Sequence, residues 1–234
     1  MIKIKIKPYY STNIGKLYHG DCLEVMDQLI EDGIQFDAII TDPPYAVTNY
    51  SWDAIIPFDQ MWDKLTKLIK PTGAIVLFGN EPFSSQLRES NSKLYRYDWK
   101  WVKTQVTGFQ NANYQPLRCY EDVMVFSKSG AVSNSKPPMC YYPQGVISVN
   151  LKVKRHSIDY LKEKKDNQRM DHIQETANYP RNVIQFPREP ITLHPTQKPR
   201  NLMEYIISTY TNEGELVLDF TSGSGSTLVS CELL

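Results

Sequence analysis

The sequence lacks the patterns that would place it in several large classes of protein. Its four cysteines include no CxxC pair, so neither a zinc site nor a disulfide framework is predicted, and no metal is expected. No run approaches the roughly 18 apolar residues of a membrane span, and the opening MIKIKIK has no signal-peptide core. We therefore expect a cytoplasmic protein. The formal net charge is zero, which disfavours a chain coated in nucleic acid but leaves a local basic patch open.

Strands and helices alternate along most of the chain. Apolar residues at helical spacing predict helices over 22–33, 59–70 and 200–211, with another helix after Pro82. Period-two alternation predicts a strand at 1–7, and short apolar runs predict strands at 15–21, 36–40, 74–79, 97–103, 121–128 and 215–219, with a turn at 71–73. This alternation is typical of an open, mainly parallel α/β sheet. Residues 130–192 break the pattern and, on composition alone, favour a solvated loop or short helix.

A glycine-rich loop, TSGSGST, follows the predicted strand ELVLD and precedes an apolar run that we expect to be helical. Glycines allow a ligand to approach the backbone, and a helix N-terminus offers free N–H groups to an anion. No GK[ST] follows, so the loop is not a P-loop, and Leu228 replaces the third glycine of the dinucleotide pattern. Such a turn alone is as often a tight connection as a ligand site.

A second loop, TDPPY, follows the strand at 36–40. Ligands of open α/β folds lie at the carboxyl ends of the strands, so both loops are expected to line one cleft. The carboxylate of Asp42 and the carbonyl of Pro43 are acceptors that could hold a planar amino group, while Tyr45 offers a flat face to a base. Pro43 and Pro44 remove backbone donors from the corner. The alternative is that Asp42 only caps the turn.

Four segments together resemble the amino-group DNA methyltransferases, which use S-adenosylmethionine to methylate N6 of adenine or N4 of cytosine: LYHGDCLEVM, TDPPY, HPTQKP and TSGSGST. The DPPY element precedes the glycine-rich element, as in the circularly permuted beta group of that family. The stretch GFQNANYQPLRCYEDVMVFSKSG is also similar to phage and bacterial adenine-specific members. The resemblance implies a Rossmann-like fold with helices on both faces of the sheet. It also implies one catalytic domain over 1–234, with 130–192 as an inserted target-recognition region.

The resemblance also implies roles for particular residues. The target amine would be bound and oriented by Asp42, Pro43, Pro44 and Tyr45. The cofactor would be bound by Asp21, Cys22, Thr196, Gln197, Lys198, Asp219, Phe220, Thr221, Gly223, Ser224, Gly225, Ser226 and Thr227. Contacts to DNA phosphates are expected from Lys152, Lys154 and Arg155. His194 is expected to be structural, because methyl transfer from a sulfonium needs no nucleophilic histidine.

The expected reaction is direct methyl transfer to an adenine flipped out of double-stranded DNA. None of the four cysteines follows a proline, which disfavours carbon-5 methylation of cytosine through a cysteine nucleophile. Two alternatives stay open: methylation of the cytosine 4-amino group, and an inactive DNA-binding remnant. The second alternative arises because only nine residues follow Gly225, whereas the family continues into a further strand whose terminal acid binds the cofactor ribose. The expected partner is double-stranded DNA, no membrane association is expected, a homodimer is left open, and a restriction-modification context fits the resemblance.

Overall fold

A computed structural model of the chain describes residues 6–47, 53–153, 172–189 and 197–234. The chain divides into two compact units, one formed by Met1–Tyr142 with Asn182–Leu234 and the other by Pro143–Arg181. Within the described ranges, no helix has the length and apolar character that a membrane crossing requires. No cluster of His, Cys, Asp or Glu in those ranges could hold a metal ion.

The larger unit is built on a six-stranded sheet with the order β10-β3-β4-β6-β5-β9. Its strands are β3 (Phe36–Thr41), β4 (Ile69–Gly79), β5 (Tyr95–Thr107), β6 (Arg118–Phe126), β9 (Val183–Gln185) and β10 (Val217–Leu218). Strand β6 pairs antiparallel with both of its neighbours, whereas the other three pairings are parallel. The predicted mainly parallel α/β sheet is confirmed. Because β10, β3 and β4 run in the same direction, the segments that follow them emerge at one edge.

Helices cover both faces of this sheet, as the resemblance implied. Their bounds are α1 (Cys22–Glu31), α2 (Phe58–Leu68), α3 (Phe83–Ser90), α4 (Arg200–Tyr210) and α5 (Ser226–Leu233). The first three contribute to an apolar cluster on one face, and α4 contributes to a second cluster on the other. Successive side chains of β4 point to opposite faces of the sheet. Ile75 and Leu77 therefore pack in the first cluster, and Val76 and Phe78 pack in the second.

Strand β4 differs from the prediction because it begins at Ile69 and includes the residues expected to form a turn, 71–73. The register shifts between Phe36 and Ala38 on the neighbouring strand, so the irregular part of the pairing accommodates Pro71. Gly73 belongs there because a Cβ would lie 2.6 Å from the carbonyl oxygen of Asp37. Tertiary pairing has overridden local turn chemistry.

The N-terminal predictions were less accurate. The strand expected over 15–21 is reduced to β2 (Lys16–Leu17), which pairs with β1 (Tyr10–Ser11). The alternating segment at 1–7 lies outside the described residues except for its last two positions, which belong to no strand.

The smaller unit contains an antiparallel pair of strands, β7 (Ile147–Val153) and β8 (His172–Ala177). Lys152 is exposed on β7, while Lys154 and Arg155 lie outside the described residues. The expected target-recognition role of this region stays a prediction.

Candidate active site

The corner after β3 presents a carboxylate at the edge of the sheet. Asp42 follows the last residue of β3, and 24% of its side chain is exposed. Its Oδ1 accepts a hydrogen bond from the hydroxyl of Tyr45, and its Oδ2 accepts one from the ammonium of Lys198. A carboxylate has about four lone-pair sites, so two remain for another donor. Both of these partners are side chains, and whether Asp42 also binds a substrate amine stays a prediction.

The backbone of the corner is held by Asp53, a residue that the sequence interpretation missed. Its Oδ1 accepts hydrogen bonds from the N–H groups of Tyr45 and Ala46, both at 2.9 Å, and its Oδ2 accepts one from Val47 at 2.9 Å. Ala46 has a φ of 56°, a value that L-residues seldom adopt. The three backbone N–H groups that follow the prolines thus donate to the buried carboxylate of Asp53.

A chain of opposite charges leads away from Asp42. Lys198 also lies near Glu121, with 3.3 Å between Nζ and Oε2, and Lys103 donates to the Oε1 of Glu121. Lys198 and Glu121 are both almost completely buried, and the ammonium of Lys198 stands 5.2 Å from the centre of the Phe78 ring. Two cations and two carboxylates balance each other in this cluster.

Burial and these charges shift the pKa values of the cluster. Desolvation raises the pKa of Asp42 above its ordinary value; Lys198 opposes this rise, and Glu121 adds to it. Burial alone would raise the pKa of Glu121, but Lys198 and Lys103 together lower it. Burial would likewise lower the pKa of Lys198, but Asp42 and Glu121 raise it. Glu121 and Lys198 are therefore charged at neutral pH, and the ionisation of Asp42 depends on both.

Burial, followed by the charge of Asp42, raises the pKa of Tyr45 well above its ordinary value. Tyr45 accordingly stays protonated at neutral pH, and its hydroxyl donates a hydrogen bond to Asp42. Its ring packs against Phe83, with 4.9 Å between centroids and 33° between planes. The hydrogen bond and the ring contact together fix the orientation of Tyr45.

The glycine-rich loop is hydrogen-bonded to the same corner. Thr221 donates its hydroxyl to the carbonyl oxygen of Asp42 at 3.0 Å, and its Oγ1 lies 2.6 Å from that of Thr41. Asp219, which follows β10, accepts hydrogen bonds from Thr41 and Thr227, both at 2.5 Å. The two loops meet at one edge of the sheet, as the topology predicted; the cleft between them stays a prediction.

Within this loop, Gly223 and Gly225 have φ values of 51° and 78°, which glycine adopts without strain. A Cβ on Gly225 would meet nothing within 4 Å, and one on Gly223 would meet only the carbonyl oxygen of Thr221 at 3.9 Å. Open space therefore borders the backbone immediately before α5. This arrangement suits a ligand that contacts the chain through backbone groups.

The other residues predicted to bind the cofactor have more varied surroundings. Asp21 is the N-cap of α1, and its Oδ1 accepts from the N–H groups of Leu23 at 2.8 Å and Glu24 at 3.3 Å. Burial raises the pKa of the neighbouring Cys22 thiol, and Phe220 is buried in the apolar cluster beneath the loop. Their predicted roles toward a cofactor stay predictions.

The segment HPTQKP is only partly described. His194 and Thr196 lie outside the described residues, whereas Gln197 and Lys198 lie directly before α4. The ammonium of Lys198 contacts Asp42 rather than the glycine-rich loop. Its predicted contact with the methionine end of the cofactor stays a prediction.

Comparison with known proteins agrees with this geometry. Residues 36–234 match the family model described as DNA methylase. The chain belongs to this DNA methylase family. The matched range contains the DPPY corner, the charged cluster and the glycine-rich loop.

Curated relatives of this chain carry names of the same kind. It is 27% identical over 257 residues to the type II methyltransferase M.BamHI of Bacillus amyloliquefaciens and 28% identical over 240 residues to M.HpaI of Haemophilus parainfluenzae. It is 25% identical over 232 residues to the DNA adenine methyltransferase YhdJ of Escherichia coli K12. The matches cover 98%, 94% and 90% of this chain, but 55%, 67% and 72% of those proteins. The chain thus spans about half the length of M.BamHI.

Solved structures share the fold. The cytosine-N4-specific PvuII DNA methyltransferase aligns with a TM-score of 0.66 at 17% identity, covering 97% of this chain and 81% of that one. The M1.HpyAVI–SAM complex aligns with a TM-score of 0.58 at 24% identity, covering 92% and 87%. The Rossmann-like methyltransferase fold implied by the resemblance is confirmed.

Proposed function

We propose that this DNA methylase transfers a methyl group from S-adenosylmethionine to the exocyclic amine of an adenine flipped out of double-stranded DNA. The observation that carries the proposal is the position of Asp42. Its partly exposed carboxylate stands at the sheet edge, and Thr221 ties its carbonyl directly to the glycine-rich loop. The acceptor for an amine and the loop suited to a cofactor therefore meet at one point.

The amine needs an acceptor because its lone pair is delocalised into the purine ring. Two acceptors that bind its N–H groups would rotate the amine and direct the lone pair toward the incoming methyl group. Asp42 has lone pairs left after binding Tyr45 and Lys198, and the carbonyl of Pro43 is the second acceptor in the proposal. As positive charge develops on the nitrogen, its hydrogen bonds to the Asp42 carboxylate strengthen.

The glycine-rich loop fits the cofactor on two grounds. Open space lies beside Gly225, and the loop passes directly into the N-terminus of α5, where N–H groups lack helical partners. Asp219 accepts from Thr41 and Thr227, so its role in the proposal is to hold the loop in shape. When bound, S-adenosylmethionine supplies the methyl group as an electrophile, so this chain needs no nucleophile of its own.

Reaching the amine requires the base to leave the DNA stack, at a cost of a few kcal/mol. Tyr45 can recover part of this cost by stacking on the flipped base, with its orientation fixed by Asp42 and Phe83. The basic residues at positions 152, 154 and 155 are proposed to contact phosphates and so to hold the duplex.

Glu121 has an electrostatic role in this proposal. The cofactor and the reacting nitrogen both carry positive charge, and the ammonium of Lys198 adjoins the same carboxylate. Glu121 offsets that ammonium from its buried position. Asp42 thereby stays a strong acceptor although it is already paired.

Adenine is favoured over cytosine because an aspartate leads the PPY sequence, and the relative YhdJ is named as an adenine methyltransferase. The test is to incubate mixed-sequence duplex DNA with the protein and S-adenosylmethionine, digest the DNA, and identify the modified nucleosides by mass analysis. N6-methyl-2′-deoxyadenosine is expected. The corresponding deoxynucleoside of cytosine, N4-methyl-2′-deoxycytidine, would overturn the choice of base, and unmodified DNA in every context would overturn the reaction.

A further inference from the structure

We propose that the projecting end of the hairpin formed by β5 and β6 is a DNA-contacting surface, and that its exposed rings stack on bases uncovered when the target base leaves the duplex. This projecting end comprises residues 102–120. The inference rests on the proposed function, because it takes duplex DNA as the partner.

The projecting end exposes two large rings. Phe109 is 67% exposed and Tyr114 is 89% exposed. Among the described residues, neither ring packs against another aromatic ring, while the hairpin below them pairs tightly with the sheet. Rings exposed in this way are available to stack on the bases of a nucleic acid.

The composition of the projecting end suits nucleic acid. From Val102 to Tyr120 the sequence contains no Asp or Glu; of its two cations, Arg118 is exposed, whereas Lys103 is already paired with Glu121. Five amide side chains accompany them, at Gln105, Gln110, Asn111, Asn113 and Gln115. Cations bind phosphates, amides bind base edges and rings stack on bases. A segment without carboxylates therefore complements DNA.

The position of the hairpin places this surface beside the candidate active site. Glu121 directly follows the projecting end. It pairs with Lys198, and Lys198 in turn contacts Asp42. A strand rises about 3.3 Å per residue, so Arg118 stands roughly 10 Å along the strand from Glu121. The major groove of DNA is about 12 Å wide. A duplex whose flipped base reaches Asp42 would therefore pass within reach of the rings.

Base flipping leaves unstacked bases beside the gap, and an aromatic ring can restore part of the lost stacking. Tyr114 is the more exposed ring and the first candidate for this contact. Phe109 begins a single turn of 3-10 helix after Gly108, whose φ of 94° allows the chain to bend sharply there.

The test measures binding of a duplex in which 2-aminopurine replaces the target adenine, because its fluorescence rises when it leaves the stack. Phe109→Ala and Tyr114→Ala are each expected to raise the dissociation constant roughly five- to a hundredfold and to reduce the fluorescence rise. Tyr114→Phe should stay within about twofold of wild type, whereas Tyr114→Leu should behave like Tyr114→Ala, since stacking needs a ring. Ring variants should leave the salt dependence unchanged, while Arg118→Gln should lower its slope by about one unit.

Tyr10→Ala provides a matched control. Tyr10 is also exposed, at 58%, but it lies on β1, and Thr12 in the connection that follows β1 contacts Glu232. Glu232 is near the end of α5, roughly 9 Å along the helix from the glycine-rich loop. This variant should bind DNA like the wild type, and all variants should melt within a few degrees of it.

The outcomes separate this inference from the proposed reaction. Ring variants that bind DNA and flip the base as the wild type does, while methyl transfer proceeds, would overturn the inference alone. Ring-dependent DNA binding without any methyl transfer would support the inference and overturn the reaction. A wild-type protein that binds no DNA would overturn both, and an altered oligomeric state with unchanged DNA affinity would identify the rings as a contact between copies of the chain.

Discussion

Lys198 and Glu121 should shift the pH dependence of methyl transfer in opposite directions. Lys198→Met removes the cation that lowers the pKa of Asp42, so that pKa should rise further above its ordinary value. Glu121→Gln removes a negative charge that raises the same pKa, so it should fall. Asp42 acts as an acceptor only when ionised. The acid limb of the rate profile should therefore move to higher pH in the lysine variant and to lower pH in the glutamate variant.

The sizes of the two shifts follow from the geometry. Lys198 contacts Asp42 directly, and an opposite charge at that range changes a carboxyl pKa by about one to three units. Glu121 acts from the far side of Lys198, so roughly 6 Å separates the two carboxylates, which corresponds to about one to two units at an effective dielectric constant of ~20. Both shifts are large enough to resolve in a pH series.

The assay is single-turnover methyl transfer with saturating DNA and S-adenosylmethionine between pH 5 and 9. Removing one partner of a buried ion pair can cost about 3 to 5 kcal/mol of stability, so each variant is first melted at every pH used. The double variant Lys198→Met/Glu121→Gln should recover part of that stability, because it removes one charge of each sign. Lys67→Met, which breaks an exposed ion pair with Asp63, should leave the profile unchanged.

If the acid limb shifted in the same direction in both folded variants, the assignment of this limb to Asp42 would be wrong. The same holds for a profile that neither variant alters. Either result would mean that the group titrating in the rate is not Asp42.

Two further predictions concern the corner and the basic segment. Asp53→Ala should loosen the corner at Tyr45–Val47 by removing three hydrogen bonds, each worth about 0.5 to 1.5 kcal/mol, and should abolish methyl transfer. Unchanged melting and rate would contradict its structural role. Replacing Lys152, Lys154 and Arg155 with Ala should weaken binding to all DNA sequences and flatten the salt dependence by about one unit of slope per lost phosphate contact. An unchanged slope would show that these residues do not contact phosphates.

The sequence predicted the framework of the site well because the signals involved are local. Continuous apolar runs marked β3 and β4, and helical spacing marked α1. Placing two loops at the carboxyl ends of parallel strands then followed from topology alone. The hydrogen bond from the Thr221 hydroxyl to the carbonyl oxygen of Asp42 joins the two loops, as this placement predicts.

The charged cluster could not be predicted in the same way, because its partners are distant in the chain. Lys198 and Asp42 are 156 positions apart, and no period or motif connects them. Glu121 stood at the start of a predicted strand whose next residues are mostly apolar, and an acid beside such a run was a signal that it would need a cation. Asp53 gave no comparable signal, since its hydrogen bonds to Tyr45, Ala46 and Val47 depend on the fold of the corner.

Asp42 is proposed to accept a hydrogen bond from the target amine during methyl transfer, and single-turnover kinetics of Asp42→Ala test this role most directly. With saturating S-adenosylmethionine and DNA, the variant should fold and bind the cofactor nearly as the wild type does. Its rate should fall by about a hundredfold or more, equivalent to about 3 kcal/mol of transition-state stabilisation. A folded variant whose single-turnover rate stays within about threefold of wild type would show that Asp42 does not have this role.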